Sequence, residues 1–539
     1  MNVILLLLDS LNKSYIGPYG NKKVETNNMN KLAERGITFE NHFICSAPCL
    51  PASRELFSGR KNEFFWKFWG PVEPFDRLLP IEAKSLGAVT ALITDHYHYW
   101  EPIVYGYHEN YMYTNLIRGH EFDTASTEPL EDPEDYPQWV KSYLKWRKPE
   151  HNTVRYYRNV KRFKEEKDFH APKVMQATCD WLDKNHSHDK FFLHVESFDP
   201  HEPFYVPEPY RSMYGPYNED FTCWPPYQNN KQLKKFLNEV SDEQLEFVKN
   251  QYSGKVTMVD RWVGKIFEKM DQYDLWKNTM VILTTDHGHA IAEPRKKIQQ
   301  YGKQHPIFED VANIPLIIYY PGIEGGKRID ATFSTTVDIR ATILEALGAK
   351  YDKELMVDGK SLIPVLKGEI KTIRDCVLYG TFAEGVNLTM WNLTYIRGFD
   401  DKQPINIYTC SFPLLLSVSI LMGLSEQFDL KINYETYEKL LGKIYSNIIS
   451  GFFIPGVKIP QWKISLPMFL FTIGGSTKEK QQNYLFDRRK DPNFQNNLAG
   501  NPEAEELEKK MIKKIIETMK KEGAPPEQFD RLMLKDEDM

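Results

Sequence analysis

The sequence predicts an α/β protein: a mixed, largely parallel sheet flanked by helices, followed by a smaller C-terminal α+β domain. Three observations lead there. Short apolar runs at 3–8, 88–94, 191–198, 280–285 and 314–320 lack alternation, as strands buried on both faces do. Amphipathic stretches of helical period stand between them, which is the strand–helix succession of a doubly wound sheet. From about residue 370 the pattern changes to shorter strands separated by turns. We place the division at 1–370 and 371–539. A chain of 539 residues with 41% hydrophobic content has room for one large and one smaller core, since single cores stop growing beyond about 250 to 300 residues.

The first run ends at Asp9-Ser10-Leu11, so a carboxylate sits at the carboxyl end of a buried strand, where open α/β sheets bind ligands. The run follows Met1-Asn2 with neither a basic start nor a small-residue cleavage site, and reads as a strand rather than a signal peptide. Asn27 or Asn28 is expected to cap a helix with Met29, Leu32 and Ala33 on one face. Gly36 ends that helix before a strand at 38–43.

The stretch Pro48-Cys49-Leu50-Pro51-Ala52-Ser53-Arg54-Glu55-Leu56-Phe57-Ser58-Gly59-Arg60 comes next. Proline in the first turn and glycine at the end frame a helix that starts at the cysteine. An oxyanion there would meet unpaired N–H groups and the positive end of the helix dipole.

Run 88–94 leads into Asp95-His96-Tyr97-His98-Tyr99-Trp100, a cluster of titratable and aromatic groups. Residues 101–170 read as long loops with short helices, a pattern that usually has functional use. A helix carrying Val174, Ala177, Trp181 and Leu182 precedes the strand at 191–198, which ends in Asp199-Pro200-His201-Glu202-Pro203-Phe204. The prolines hold His201 in a rigid loop.

Ser241-Asp242-Glu243-Gln244 is a capping box opening a long helix with Val248, Tyr252, Val256, Val259 and Val263 on its buried side. The strand at 280–285 ends in Asp286-His287-Gly288-His289. After a loop containing Lys303 come a strand at 314–320 and a helix at 337–347. The last helix is capped by Asn501, has Pro502 in its first turn, and stops at Gly523.

A net charge of -6 and a pI near 6.2 argue against nucleic-acid binding by bulk electrostatics. Six cysteines without a C-x-x-C pair do not form a disulfide framework or a structural zinc site. The apolar run 412–421 falls short of the roughly 20 residues of a membrane helix. The expectation is a soluble, cytoplasmic protein with no membrane partner. Exposed aromatic residues at 101–170 and 400–475 leave open a pocket wall or a homo-oligomer contact.

If the sheet is doubly wound, Asp9, His96 with His98, His201, and Asp286 with His287 converge on one edge beside the cysteine helix. Two aspartates with imidazoles suit a divalent cation: calcium, magnesium or manganese by the oxygens, manganese or zinc by the histidine. The other histidines and Lys303 would then donate to an anionic ester.

These segments, together with Asn30-Lys31-Leu32-Ala33-Glu34-Arg35-Gly36, Val259-Asp260, Ile314-Pro315-Leu316, Asp358-Gly359-Lys360-Ser361-Leu362 and Asn497-Leu498-Ala499-Gly500, resemble the sulfatases of the alkaline phosphatase superfamily. The phosphodiester- and phosphonate-monoester-cleaving relatives share the likeness. The resemblance runs along nearly the whole chain and implies an alkaline-phosphatase-like fold. It implies Asp9, Cys49, Asp286 and His287 around one divalent ion, Ca2+ or Mn2+ ahead of Mg2+ or Zn2+. It makes Cys49 the residue that a formylglycine-generating enzyme converts to an aldehyde. One hydroxyl of the hydrated aldehyde attacks sulfur or phosphorus with the metal as Lewis acid, and the other expels the oxyanion. His201, Lys303 and His96 would contact the anion, His98 would join the catalytic group, and Arg54 would support the nucleophile.

Two positions depart from the family pattern. Ser53 stands four residues after Cys49, where the modification signature has arginine, and Ser10 stands where many sulfatases have a further aspartate ligand. An unconverted Cys49 would act as thiolate ligand or nucleophile, its pKa depressed by helix start and metal. The implied activity is hydrolysis of a small-molecule sulfate monoester. A phosphodiesterase or phosphonate monoester hydrolase using the same residues, or a silent anion-binding member, are the alternatives.

Overall fold

Strand β1 (Asn2–Leu8) lies inside an eight-stranded sheet, and its side chains alternate between two hydrophobic cores. The computed structural model describes residues 1–101, 103–147, 150–226, 230–291, 301–303, 305–350, 357–411, 434–466 and 481–534. The run 412–421 lies outside the described residues. Among them, no helix is long and apolar enough to cross a membrane.

In chain order the elements that matter are α1 (Asn27–Arg35), β2 (Ile37–Phe39), β3 (Ser46–Ala47), α2 (Cys49–Ser58), β4 (Val89–Thr94), β5 (Tyr113–Leu116), α3 (His170–Asn185), β6 (Phe191–Ser197), α4 (Asp242–Gln272), β7 (Thr279–Thr284), β8 (Leu316–Tyr319), β9 (Lys327–Ile329) and α5 (Thr336–Ala346). The large sheet runs β9-β2-β8-β7-β1-β6-β4-β5. From β7 to β5 all pairs are parallel, and β8 pairs antiparallel with both β7 and β2. The sheet is therefore mixed and mostly parallel.

Val3, Leu5 and Leu7 pack with Leu50 and Leu56 of α2 and with Ile339 and Ile343 of α5. Ile4, Leu6 and Leu8 pack on the opposite face with Val174 of α3 and Val256 and Val259 of α4. Each such side chain contributes about 1.5 to 3 kcal/mol by leaving water. The double burial explains why the runs showed no alternation.

Two local expectations are corrected. Helix α1 is preceded by Thr26, which makes no side-chain cap, and its free N–H groups are met from α4 instead. Asp260 accepts from Asn28 N at 3.0 Å and Met29 N at 2.8 Å. The strand expected at 38–43 is interrupted at the half-buried Glu40 and Asn41, and His42–Phe43 pairs separately with Ser334–Thr335.

The C-terminal region holds β10 (Cys376–Thr381), β11 (Val386–Met390), β12 (Leu393–Arg397), β13 (Ile405–Thr409), β14 (Ile449–Gly451), β15 (Gln461–Leu466), β16 (Tyr484–Asp487) and α6 (Glu505–Lys521). Its five-stranded sheet has the order β16-β12-β11-β10-β3. The edge strand β3 comes from residues 46–47, directly before Cys49, and pairs parallel with β10. Phe64, Phe65 and Trp66 share the C-terminal core with Met511, Ile515 and Met519 of α6. The start of α2 is thus gripped from both sheets.

Candidate active site

The strand register brings the ligand-bearing ends together. Leu8 pairs with Ser197, Leu7 with Thr284, and Thr94 with Glu196. Asp9, the 95–98 segment, the 199–203 loop and Asp286-His287 therefore leave the sheet along one edge. Asp9, Cys49, Asp286 and His287 are all buried, and their ligand atoms lie within 4.8 Å of one another.

Local structure fixes each of them. Ser10 follows Asp9 in a left-handed conformation, φ 62°, which carries a strain of about 1 to 3 kcal/mol in a residue other than glycine. That turn lets Ser10 N–H donate to Asp286 Oδ1 at 3.2 Å, while the Ser10 hydroxyl donates to Asp9 Oδ1 at 2.7 Å. Asp286 Oδ1 also accepts from His287 N at 2.8 Å and from the Thr285 hydroxyl at 3.1 Å. Gly288 is required because a Cβ there would meet the Asp310 carbonyl oxygen at 2.0 Å. Cys49 begins α2 and Gly59, φ 74°, ends it, as the proline and glycine positions predict.

What remains uncommitted is the second oxygen of each aspartate. Asp9 Oδ2 and Asp286 Oδ2 are buried without a hydrogen-bond donor. His287 Nδ1–H donates to the Gly288 carbonyl at 2.8 Å, so its Nε2 carries a lone pair, and that nitrogen stands 3.1 Å from Asp286 Oδ2. Two acceptors at that distance repel unless a cation sits between them. The Cys49 thiol donates to the same Nε2 at 3.2 Å, and the Lys303 ammonium reaches Sγ at 3.7 Å. Carboxylate oxygens, an imidazole nitrogen and sulfur form a donor set that fits a divalent ion.

The electrostatics agree. Burial, then the Asp286 charge, pushes the Asp9 carboxyl well above its usual range. Burial also pushes the Cys49 thiol up, with Asp9 adding to it, so the helix start does not by itself depress this thiol as expected from sequence. Lys303 is held above the usual range although burial acts the other way, because Cys49, Glu202, Asp9 and Asp286 surround it.

Of the other predicted residues, His96, His98 and His201 surround the ring of Phe198, with centroids 5.0, 5.6 and 4.2 Å from it. His98 Nδ1 meets Glu101 at 2.5 Å and His96 Nδ1 meets Glu196 at 2.6 Å. His201 Nδ1 donates to the Glu202 carbonyl at 2.7 Å, and Lys255 ties down the loop through the His201 and Pro203 carbonyls at 2.7 and 2.8 Å. Burial and the Lys303 charge push His201 well below its usual value.

Arg54 stands apart. Its guanidinium is buried and paired with Asp76 at 2.9 and 3.0 Å and with Glu63, on the flank of α2. At Ser53 the hydroxyl instead lies 2.9 Å from the Tyr99 hydroxyl.

Sequence reasoning missed Glu196, a carboxylate inside an apolar strand, and Glu202, quoted only as part of a loop. Glu202 is buried beside His289, Nδ1 to Oε2 3.3 Å. Against its burial, His289 and Lys303 hold its carboxyl below the usual range. The available signal for Glu196 was a charged residue, two after His194, in a strand otherwise rich in apolar residues.

The Sulfatase family model matches residues 1–349. The arylsulfatase of Clostridium perfringens is 23% identical over 403 residues, covering 70% of this chain and 80% of that one. The phosphonate monoester hydrolase of Agrobacterium radiobacter shares the fold with a TM-score of 0.62 at 17% identity, over 97% of this chain and 96% of that one. BT4656, solved in complex with its substrate D-glucosamine-2-N,6-O-disulfate, has a TM-score of 0.60 at 14% identity, over 99% of each chain. With the match spanning well over half of its length, the chain belongs to the Sulfatase family of sulfuric ester hydrolases.

Proposed function

We propose that this protein is a metal-dependent hydrolase of anionic esters that cleaves sulfate monoesters, with residue 49 as nucleophile after conversion to formylglycine. The observation that carries this reading is the convergence of Asp9 Oδ2, Asp286 Oδ2 and His287 Nε2, without a donor for either carboxylate oxygen, beside Cys49 at a helix start. Asp9, Asp286, His287 and residue 49 would hold one divalent ion, calcium or manganese ahead of magnesium or zinc, and when bound it supplies Lewis acidity to the ester oxygen. Lys303 binds and orients the oxyanion by donating hydrogen bonds, and His96 and His201, each with Nδ1 committed to a protein acceptor, donate to it from Nε2 when that nitrogen carries a proton. His98, oriented by Glu101, takes part in moving the proton between nucleophile and leaving group. Arg54 acts through its ion pairs as a brace for α2.

A second reading is cleavage of phosphodiesters or phosphonate monoesters, favoured by the Agrobacterium fold likeness and by Ser10 in place of a further carboxylate. Purified protein assayed against an aryl sulfate, an aryl phosphodiester and an aryl phosphonate separates the two. The mass of the peptide containing Cys49 is measured alongside, where conversion removes about 18 Da from cysteine. Turnover of the sulfate with the lighter peptide is the expected result. Phosphorus-ester turnover alone supports the second reading, and inactivity toward all three with an intact metal site supports a silent anion-binding member.

A further inference from the structure

Beside the metal ligands, a buried chain of hydrogen bonds runs from helix α2 across to the histidine segment after β4. The Tyr99 hydroxyl lies 2.9 Å from Ser53 Oγ and 3.0 Å from each oxygen of Glu196. Glu196 Oε1 lies 2.6 Å from His96 Nδ1. His96 Nε2, on the far side of the ring, is buried and has no partner. All four side chains are at most 1% exposed. A carboxylate near the end of a central strand costs several kcal/mol to bury, and this one faces His96 Nδ1, the Tyr99 phenol and, at 3.6 Å, His194 Nε2. Ser53 is the position at which the modification signature has arginine, and here its hydroxyl meets Tyr99.

We infer that Glu196, held by Tyr99 and Ser53, is a positioning residue for His96, fixing the ring so that Nε2 faces the bound oxyanion. The inference rests on the hydrolase reading above and adds to it the groups that aim one of its anion contacts. The hydrogen bond defines which nitrogen is committed. With Glu196 ionised and the ring neutral, the proton sits on Nδ1 and Nε2 is an acceptor. One further proton on the pair places an N–H at Nε2, whether the first proton rests on the carboxyl or on Nδ1, so an arriving anion and this proton stabilise each other. Burial pushes the Glu196 carboxyl up to about 7 and His96 well below its usual value, so the pair shares its proton instead of separating charge.

The test is a double-mutant cycle on the ester that the wild type hydrolyses, using Glu196→Gln, His96→Ala and the double variant, with Tyr99→Phe as a milder probe. Thermal unfolding and metal content show that each variant is folded and loaded. Loss of a second-layer partner of this kind costs about 10- to 100-fold in activity. The expected result is a loss of that size for Glu196→Gln in wild type, a smaller one for Tyr99→Phe, and no further loss for Glu196→Gln once His96 is alanine. Equal losses in both backgrounds, or none in wild type, would overturn the inference.

A readout independent of turnover is the proton spectrum. A far-downfield Nδ1–H resonance that disappears in His96→Ala should also vanish or move upfield in Glu196→Gln, and its persistence unchanged would overturn the inference. Failure of the wild type on every ester refutes the hydrolase reading alone, since the resonance is read without substrate.

Discussion

Two buried charge clusters touch helix α2, and they differ in one respect. Along its flank, Arg54, Arg60 and Lys67 meet Glu63, Asp76 and Glu73, cation against carboxylate. At its start, Asp9 and Asp286 face each other and His287 with Lys303 as the nearby cation; each aspartate leaves one oxygen without a donor, as Glu63 does on the flank, but there the carboxylate is ion-paired with Arg54. Burial is comparable, yet the titration moves in opposite directions. Against its burial, Lys67 and Arg54 hold the Glu73 carboxyl below the usual range, whereas burial and Asp286 drive Asp9 up. A buried charge with its partner built in belongs to the architecture, and a buried charge without one marks a place for a ligand.

The comparison can be broken at its structural side first. Arg54→Met leaves Asp76 and Glu63 buried without their main cation, and breaking a buried pair from one side costs about 3 to 5 kcal/mol. Urea unfolding should show that loss, while the fraction that folds still binds metal. A change under about 1 kcal/mol, the value of an exposed pair, would remove the distinction.

At the site the expectation is reversed. Asp286→Asn removes charge without changing volume, so activity on the hydrolysed ester should fall by at least about 100-fold while the Tm of the metal-free protein holds or rises, because two facing carboxylates become one. Full activity in the pure variant would reject the metal-site assignment.

A pH-dependent effect sharpens the contrast between the clusters. Glu55 on α2 accepts from Ser46 N at 3.0 Å and Glu63 N at 2.9 Å, and burial pushes its carboxyl up to about 8 from an ordinary 4.5. The folded state thus keeps a proton that the unfolded chain releases above about pH 4.5. The stability it contributes is complete below that pH and is lost as pH rises through about 8, at up to about 1.4 kcal/mol per pH unit. Wild type should therefore weaken relative to Glu55→Gln between pH 5 and pH 8 in urea titrations. A constant difference between the two would refute the shift.

The same contrast explains what could be read in the sequence. Apolar runs report which stretches are buried on both faces, so β1, β4, β6 and β7 were legible, and with them the residues at their ends, including Asp9, Asp286 and His287. Cys49 was legible through the proline and glycine that frame its helix. What the pattern does not report is what stands across a contact. The partner of Arg54 is Asp76, 22 residues on in a loop without periodicity. Asp260 serves α1 from 232 residues away, and β3 joins a sheet built from residues 376–487. Glu196 was hidden because a single carboxylate does not alter the reading of an apolar strand. Charges at the ends of elements could be found from sequence, and charges whose meaning depends on a distant partner could not.

The central claim is that Asp9, Asp286, His287 and Cys49 form one cation site, and calorimetric titration of metal-free protein with Mn2+ and Ca2+ tests it most directly. The account predicts one ion per chain for at least one of these metals. It also predicts that saturation at about 100 times Kd raises stability by about 2.7 kcal/mol, and that both effects vanish in Asp286→Asn. Unchanged binding in that variant, or no binding to the wild type, would contradict it.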